Sequence, residues 1–338
     1  MDNKTCPVSG TAFSGIGGQA VMEGVMMRNK DDYAVAVRRA DGEIVIKKDE
    51  YHGIINNKTI YKIPVIRGVL SFIDSLVLGL STLNFSSDIY IAGEEAKEKN
   101  SSGEDEQTGE GAANTNTAAD DTVKKKSAAD TILSAVITVI ALVLAMGLFM
   151  VLPYLASLLF RPLVGEGIVL SLIEGLIRIL IFIGYIKAIS LMEDIRRVFM
   201  YHGAEHKCIN CIEAGMPLTV DNVRRSSREH RRCGTSFLLY VMVISIIFFA
   251  FIRTDVRWMK VALRLVLIPA IAGVSYEFIR LAGRSDSALV RAFSKPGLWL
   301  QKLTTREPDD EMIKVGIRSV EEVFDWKEFL KEHFPDDK

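Results

Sequence analysis

Residues 131–160 read TILSAVITVI ALVLAMGLFM VLPYLASLLF, thirty residues without a charged side chain. A helix needs about twenty predominantly apolar residues to cross the hydrocarbon core of a bilayer. This stretch therefore predicts a membrane-spanning helix and excludes a purely soluble protein. It begins far from Met1, and no short apolar segment with a small-residue cleavage site opens the chain, so we do not expect a cleavable signal peptide.

Three further apolar segments follow, and the four predicted spans are residues 131–155, 168–190, 236–252 and 261–280. Lysine and arginine are abundant before the first span, in the loop at 191–235 and in the tail, whereas the connection after the first span holds only Arg161. Basic connections stay on the cytosolic side. We therefore expect a mainly α, polytopic helical bundle in the cell (inner or plasma) membrane, with both termini and the 191–235 loop cytosolic.

The remaining segments have different compositions. Residues 1–63 predict a small mixed α/β cytosolic region with a β-hairpin around Asp41-Gly42. Residues 64–93 predict an amphipathic or interfacial helix, because the charge at Asp74 disfavours a full crossing. Residues 94–129 predict a disordered acidic linker, 130–283 the four-span membrane domain, and 284–338 a cytosolic amphipathic tail.

The charges are balanced, with 41 basic and 42 acidic side chains. No global basic surface results, so we do not expect nucleic acid as a partner. We expect membrane lipids as partners, and the sequence leaves protein partners or a homo-oligomer open. Three of the four cysteines lie between 208 and 233, in a predicted reducing compartment, where metal binding or catalysis is more usual than a disulfide.

The 191–235 loop carries the residues best suited to chemistry. His202 and His206 are four apart, so a helix would project both imidazoles from one face, with Glu205 beside them. His-x-x-Glu-His is the inverted zincin pattern, in which two histidines hold zinc and the carboxylate handles a proton of the water. This interpretation predicts an open site for zinc or another divalent transition metal, with His230 or Cys233 as the third ligand and Glu205 as the general base.

A second interpretation uses overlapping residues. Cys208 and Cys211, followed by His230 and Cys233, have the spacing of a closed structural zinc site. The plain alternative is that these are ordinary polar residues next to the membrane, with the cysteines acting as small hydrophobic side chains.

Two other groups of polar residues stand out. Glu174 and Arg178 are four apart within the second span, where charges must pair; we favour an interhelical clasp over a polar path for an ion or proton. The segment GGQAVMEGVMMR (17–28) presents Gln19, Glu23 and Arg28 among glycines and methionines. These three are candidates for orienting a substrate.

Four motifs together resemble the YqhQ-like family of bacterial membrane proteins: GGQAVMEGVMMR (17–28), HGAEHK (202–207), RCGTSF (232–237) and PGLWLQKLTTREPD (296–309). The family is catalogued as predicted metal-dependent enzymes. The resemblance covers nearly the whole chain except the acidic linker. It places the family's motif positions at His202, Glu205, His206, His230, Cys233, Gln19, Glu23 and Arg28. Cys208 lies outside that pattern, and a proline commonly stands in place of Arg231, which shifts the balance toward the open site.

Two functional hypotheses follow. The first is an integral membrane protein with a cytosolic metal-binding site that acts as a zinc-dependent hydrolase at the membrane surface. The second is a non-enzymatic scaffold or assembly factor in which a structural metal stabilises the loop. Replacing Glu205 separates them, because only the first needs a base at that position.

Overall fold

The computed structural model describes residues 12–55, 59–101, 128–252, 254, 256–282 and 287–335. The chain is mainly helical, with one small antiparallel sheet near its start. The helices are α1 (Ile66–Ser101), α2 (Ala128–Met146), α3 (Leu152–Ser157), α4 (Arg161–Val164), α5 (Ile168–Ile189), α6 (Glu193–Glu213), α7 (Val220–Arg225), α8 (Gly234–Ala250), α9 (Arg257–Ala282), α10 (Ala288–Thr304), α11 (Asp310–Val323) and α12 (Trp326–His333). A π-helical turn (Gly147–Val151) joins α2 to α3.

The sheet is a four-stranded meander. Its strands β1 (Gly17–Val21), β2 (Gly24–Asn29), β3 (Asp32–Arg38) and β4 (Ile44–Glu50) follow one another in space as in sequence. The β3–β4 hairpin turns around Asp41-Gly42. Successive side chains of a strand point to opposite faces, and both faces of this sheet are buried.

Helices cover both faces of the sheet. On one face, Ala34 and Ala36 pack into a core that includes Ala204 of α6 and Met312 of α11. On the other, Val35 and Leu78 of α1 belong to a second core. The sheet, the 191–235 loop and the tail therefore form one packed body, although the sheet lies more than a hundred residues before the other two segments in the chain.

The candidate membrane spans differ in part from the sequence-based set. By length and composition, Ile66–Gly93, Val136–Val164, Ile168–Ile189 and Trp258–Ala282 are long and apolar enough to cross a bilayer. Gly234–Ala250 is equally apolar but has only 17 residues, at the short end of the usual range for a spanning helix.

The packing of the sheet, α6 and α11 into one body limits which of these helices can cross the membrane. Segments that pack together lie on one side of a membrane, so the chain between them must cross an even number of times. If the four longest candidates all crossed, three crossings would separate the sheet from α6 and one would separate α6 from α11. If α8 crosses and α1 does not, two crossings separate the sheet from α6, and two separate α6 from α11. We therefore expect α2–α4, α5, α8 and α9 to span.

The contacts of α1 agree with a helix that does not cross. Near its start, Gly68 packs against Gly273 of α9, and the ring of Phe72 lies 5.3 Å from that of Phe237 in the first turn of α8. Further along, α1 follows the sheet, where Ser86 accepts a hydrogen bond from the Met22 amide. It extends to Ser101, so the first residues of the expected 94–129 linker are helical, whereas residues 102–127 lie outside the described residues.

Buried charges join the apolar helices α5, α8 and α9. Arg178 and Arg264 donate to the two oxygens of Glu174 at 2.7 and 2.6 Å, and Arg178 also donates to Ser245 at 3.0 Å. Both guanidinium groups lie about 5 Å from the ring centre of Phe249. Glu174 thus connects α5 and α9, and Arg178 connects α5 to α8, which is the arrangement of an interhelical clasp.

Cysteine labelling tests the topology. In a chain carrying Cys6→Ser, we expect Lys48→Cys and Glu332→Cys to react with a membrane-impermeant maleimide from the same side, and Glu166→Cys from the opposite side, because all three side chains are exposed. The parent chain without an added cysteine gives the background, since its other cysteines are buried. Labelling of Lys48→Cys and Glu332→Cys from opposite sides would contradict the crossing pattern.

The clasp predicts that replacing one of its three charged residues destabilises the fold more than replacing all three together. Glu174→Gln leaves two buried guanidinium groups without a counter-charge, which should lower the free energy of unfolding by about 3–5 kcal/mol. Thermal unfolding in detergent measures this as a lower Tm. Changing all three residues, Glu174→Leu with Arg178→Met and Arg264→Met, should recover most of the loss. A single variant as stable as the wild type would argue against the clasp.

Candidate metal centre

Helix α6 presents the candidate ligands. Tyr201, Ala204 and Cys208 face the sheet and α11 and belong to the main core. His202 and His206 project from the neighbouring face of the helix, one turn apart, with their ring centres 4.4 Å from each other. Glu205 lies between these two faces, because each residue of an α-helix is rotated by about 100° from the one before.

The structure brings Cys233 to the two histidines. His202 Nε2 lies 3.2 Å from Cys233 Sγ, and one ligand atom from each of His202, His206 and Cys233 lies within 4.8 Å of the others. Cys233 immediately precedes α8 and caps its N-terminus. These three residues could hold a metal ion.

Backbone carbonyls orient both imidazoles. His202 Nδ1 lies 2.9 Å from the carbonyl oxygen of Thr304, and His206 Nδ1 lies 2.6 Å from that of Arg228. A carbonyl can only accept, so each Nδ1 carries a proton, and in the neutral imidazole Nε2 is left with its lone pair. This is the arrangement by which metal-ligating histidines are usually fixed.

Two buried polar atoms at the cluster lack partners. His206 Nε2 and Glu205 Oε2 make no hydrogen bond to the described residues, and the two side chains are 1% and 5% exposed. A buried polar atom without a partner costs about 1–3 kcal/mol. A cation satisfies both a lone pair on nitrogen and a nearby carboxylate, and two imidazoles with one thiolate are ligands that suit zinc. The residues present therefore fit a metal.

The charges of the cluster are coupled. Burial disfavours a thiolate, but His202 and His206 outweigh that effect and hold the pKa of Cys233 well below its usual range. Burial likewise disfavours an imidazolium, yet Cys233, Glu205 and the Thr304 carbonyl raise the pKa of His202 to about 9. Burial raises the pKa of Glu205, although the neighbouring histidines oppose the shift. Cys233 and His202 thus each favour the charged form of the other, thiolate and imidazolium.

The tail packs closely against α6 because α6 has a glycine, Gly203, at the point of contact. At Gly203, an added Cβ would lie 2.0 Å from the carbonyl oxygen of Arg306, so only glycine allows residues 304–308 to approach α6 this closely. That approach positions the Thr304 carbonyl against His202. Gln301, also in the tail, bonds to both backbone groups of His230 and so holds the 228–233 loop.

His230 lies next to the cluster, with its ring centre 5.6 Å from that of His206, but its Nε2 has other partners. Its Nε2 lies 3.7 Å from a carboxylate oxygen of Glu213 and 3.2 Å from Arg232. Of the two candidates for a third ligand, the structure thus brings Cys233 to the histidines and gives His230 other partners. Glu213 in turn accepts hydrogen bonds from Ser14 and Arg232.

The closed four-ligand arrangement is not formed. Cys208 and Cys211 are fully buried in the main apolar core, and Cys208 packs near Gly316 of α11. Burial raises the pKa of both thiols, that of Cys211 to about 11, which disfavours the thiolates that bind metal. The spacing of the two cysteines reflects one face of α6 packed against the sheet and α11.

The three candidates for orienting a substrate make contacts elsewhere. The side chain of Gln19 lies against Gly79 of α1, on the other face of the sheet. Glu23 pairs with Arg197 and accepts a bond from Tyr201, so it ties the β1–β2 hairpin to α6. Arg28 donates to the carbonyls of Lys30 and Tyr51. In the structure, these side chains fix the sheet to the helices around it.

Gly18, the residue before Gln19, lies closer to the histidine cluster than these three side chains do. An added Cβ at Gly18 would lie 2.9 Å from Cγ of Glu205, so the β1 backbone passes directly over that side chain. The spacing of the motif residues did not single out Gly18, Gly203 or Thr304. Their presence inside the long motifs at 17–28, 202–207 and 296–309 is the signal that could have identified them.

Comparison with known proteins supports the family assignment. A family model described as "Protein of unknown function (DUF1385)" matches residues 63–326. The chain is 37% identical over 310 residues to "Uncharacterized protein YqhQ" of Bacillus subtilis (strain 168), which covers 91% of each chain. The resemblance to the YqhQ-like family is thereby confirmed. No solved structure matches the chain.

The contact at Gly203 gives a prediction about stability. Gly203→Ala must displace the backbone at Arg306, which should cost about 1–3 kcal/mol and lower the Tm in detergent. Gly184→Ala, also in a helix but with open space at its Cβ, is the matched control and should be neutral or stabilising. Equal Tm values for the two variants would show that residues 304–308 do not depend on the glycine.

Proposed function

This chain belongs to the DUF1385 family, and from that premise we propose that it is a membrane protein whose cytosolic face holds zinc, or a similar divalent metal, for hydrolysis at the membrane surface. His202, His206 and Cys233 are the ligands, and Glu205 is the general base. The observation that carries the proposal is the pair of unpartnered atoms, His206 Nε2 and Glu205 Oε2, buried beside an imidazole and a thiol.

The number of ligands favours catalysis over a structural role. Structural zinc sites use four protein ligands, whereas catalytic sites use three and keep one coordination position open. The side chains of His202, His206 and Cys233 supply three. Glu205 is close enough to raise the pKa of His202, yet one of its oxygens has no partner among the described residues.

Each residue then has a distinct task. A bound Zn²⁺ ion would act as a Lewis acid and lower the pKa of a water in its open position to about 7. Thr304 and Arg228 keep both histidines in the tautomer that offers Nε2. Oε2 of Glu205 accepts a proton from the attacking water and later returns it to the leaving group.

The position of Cys233 supports a site near the membrane surface. Cys233 is the residue immediately before α8, and α8 is one of the helices that we expect to span. A ligand at the first turn of a span lies at the height of the lipid headgroups. This position favours a substrate that is itself at the membrane surface.

Metal analysis tests the ligand set. We expect about one zinc per chain in detergent-purified wild type by mass spectrometry, since three ligands converge on one point. His206→Ala and Cys233→Ser should lose it, and Cys208→Ser and Cys211→Ser should keep it. Size-exclusion chromatography shows which variants are folded. Loss with Cys208→Ser alone would favour the scaffold with a structural metal, and metal-free folded wild type would reject both functions.

Replacing Glu205 tests whether this residue acts as a general base or as a metal ligand. Glu205→Gln should retain the metal, because its carboxylate is not among the three converging ligands. In the Co²⁺-substituted protein, the pH titration of the visible spectrum should shift, because the water loses its proton acceptor. Loss of metal from folded Glu205→Gln protein would instead make Glu205 a ligand and remove the base from the proposal.

A further inference from the structure

The strand nearest the metal centre has a free edge. β1 is the outermost strand of the sheet and pairs only with β2 among the described residues. Alternate residues of such a strand direct their N–H and C=O groups away from the sheet. Gly17 and Gly18 at its start are exposed. A free edge of this kind is a template for another extended chain.

This edge runs directly across the catalytic turn of α6. The Ala12 amide donates to the Glu213 carbonyl, Gly18 lies over Glu205, and Glu23 pairs with Arg197, so β1 runs antiparallel to α6. Because α11 packs beneath β2 and β3, and α6 beneath β1, α6 is the helix that lies under the free edge.

Two glycines, Gly17 and Gly18, leave the backbone of the β1 edge without side chains at this point. An added Cβ at Gly17 would meet no atom within 4 Å, and one at Gly18 would collide with Glu205. The backbone is therefore exposed on one side and in contact with the general base on the other. Beneath it lie the unpartnered atoms Glu205 Oε2 and His206 Nε2, both on side chains more than nine-tenths buried.

Resting on the proposed function, we infer that the substrate is an extended polypeptide segment that adds to the free edge of β1, and that the reaction is hydrolysis of one of its backbone amides. The oxygen of the water bonds to the amide carbon, and Glu205 takes the released proton. The C–N bond then breaks, and Glu205 passes the proton to the nitrogen, which leaves as an amine. Water is the only other reactant. Pairing through the main chain makes recognition tolerant of side-chain identity.

Three probes with one anchoring group test the inference on the full-length Co²⁺-loaded protein. They are acetohydroxamate, the hydroxamate of trialanine, and the same trialanine compound with N-methylated amides. Each Kd is read from the visible spectrum of the cobalt. We expect trialanine hydroxamate to bind at least about tenfold more tightly than acetohydroxamate, which corresponds to one or two added main-chain hydrogen bonds. N-methylation should abolish the gain.

The outcomes distinguish this inference from the proposed function. If trialanine hydroxamate binds no more tightly than acetohydroxamate, or if N-methylation leaves its Kd unchanged, the edge does not bind a peptide backbone, while the open metal site stands. If acetohydroxamate leaves the cobalt spectrum unchanged in protein shown to contain cobalt, the open coordination position is absent. Both the inference and the proposed function are then overturned.

Discussion

The packing of three distant segments into one body is the constraint on which the rest of the structure depends. The N-terminal sheet, the helix of the 191–235 loop and the tail helix α11 share one apolar core. Since a shared core cannot be divided by a bilayer, this packing requires an even number of membrane crossings between the three segments. It also brings together the candidate metal ligands, their orienting carbonyls and the β1 edge, which come from different segments of the same body.

The candidate metal site is held by backbone contacts that its set of candidate ligands does not show. His202 and His206 are each held by a backbone carbonyl, and these carbonyls belong to the tail and to the 228–233 loop. Gln301 joins the two by bonding to the backbone of His230. Gly203 allows the tail to approach. Packed backbone that orients both histidines is the kind of preorganisation that the proposed catalysis requires.

The sequence predicted the features that depend on local pattern. Spans follow from composition, and the pairing of His202 with His206 follows from helical periodicity. The choice between His230 and Cys233 could not be made in this way, because it depends on where Glu213 and Arg232 lie. Similarly, Glu23 resembles a functional residue until its partner Arg197, 174 positions away, is known. Length and mean hydropathy alone rank α1 above α8 as a candidate span. The charge at Asp74 already disfavoured a crossing by α1 in the sequence, and the tertiary contacts agree with that expectation.

X-ray absorption at the zinc edge of the purified wild type tests the central claim most directly, because it counts the sulfur ligands. The account predicts one sulfur at about 2.3 Å and three lighter scatterers at about 2.0–2.1 Å, the third of them being water. Two or more sulfur ligands would contradict it by bringing Cys208 or Cys211 to the metal. A site with no sulfur would contradict it equally, because Cys233 would then not be a ligand.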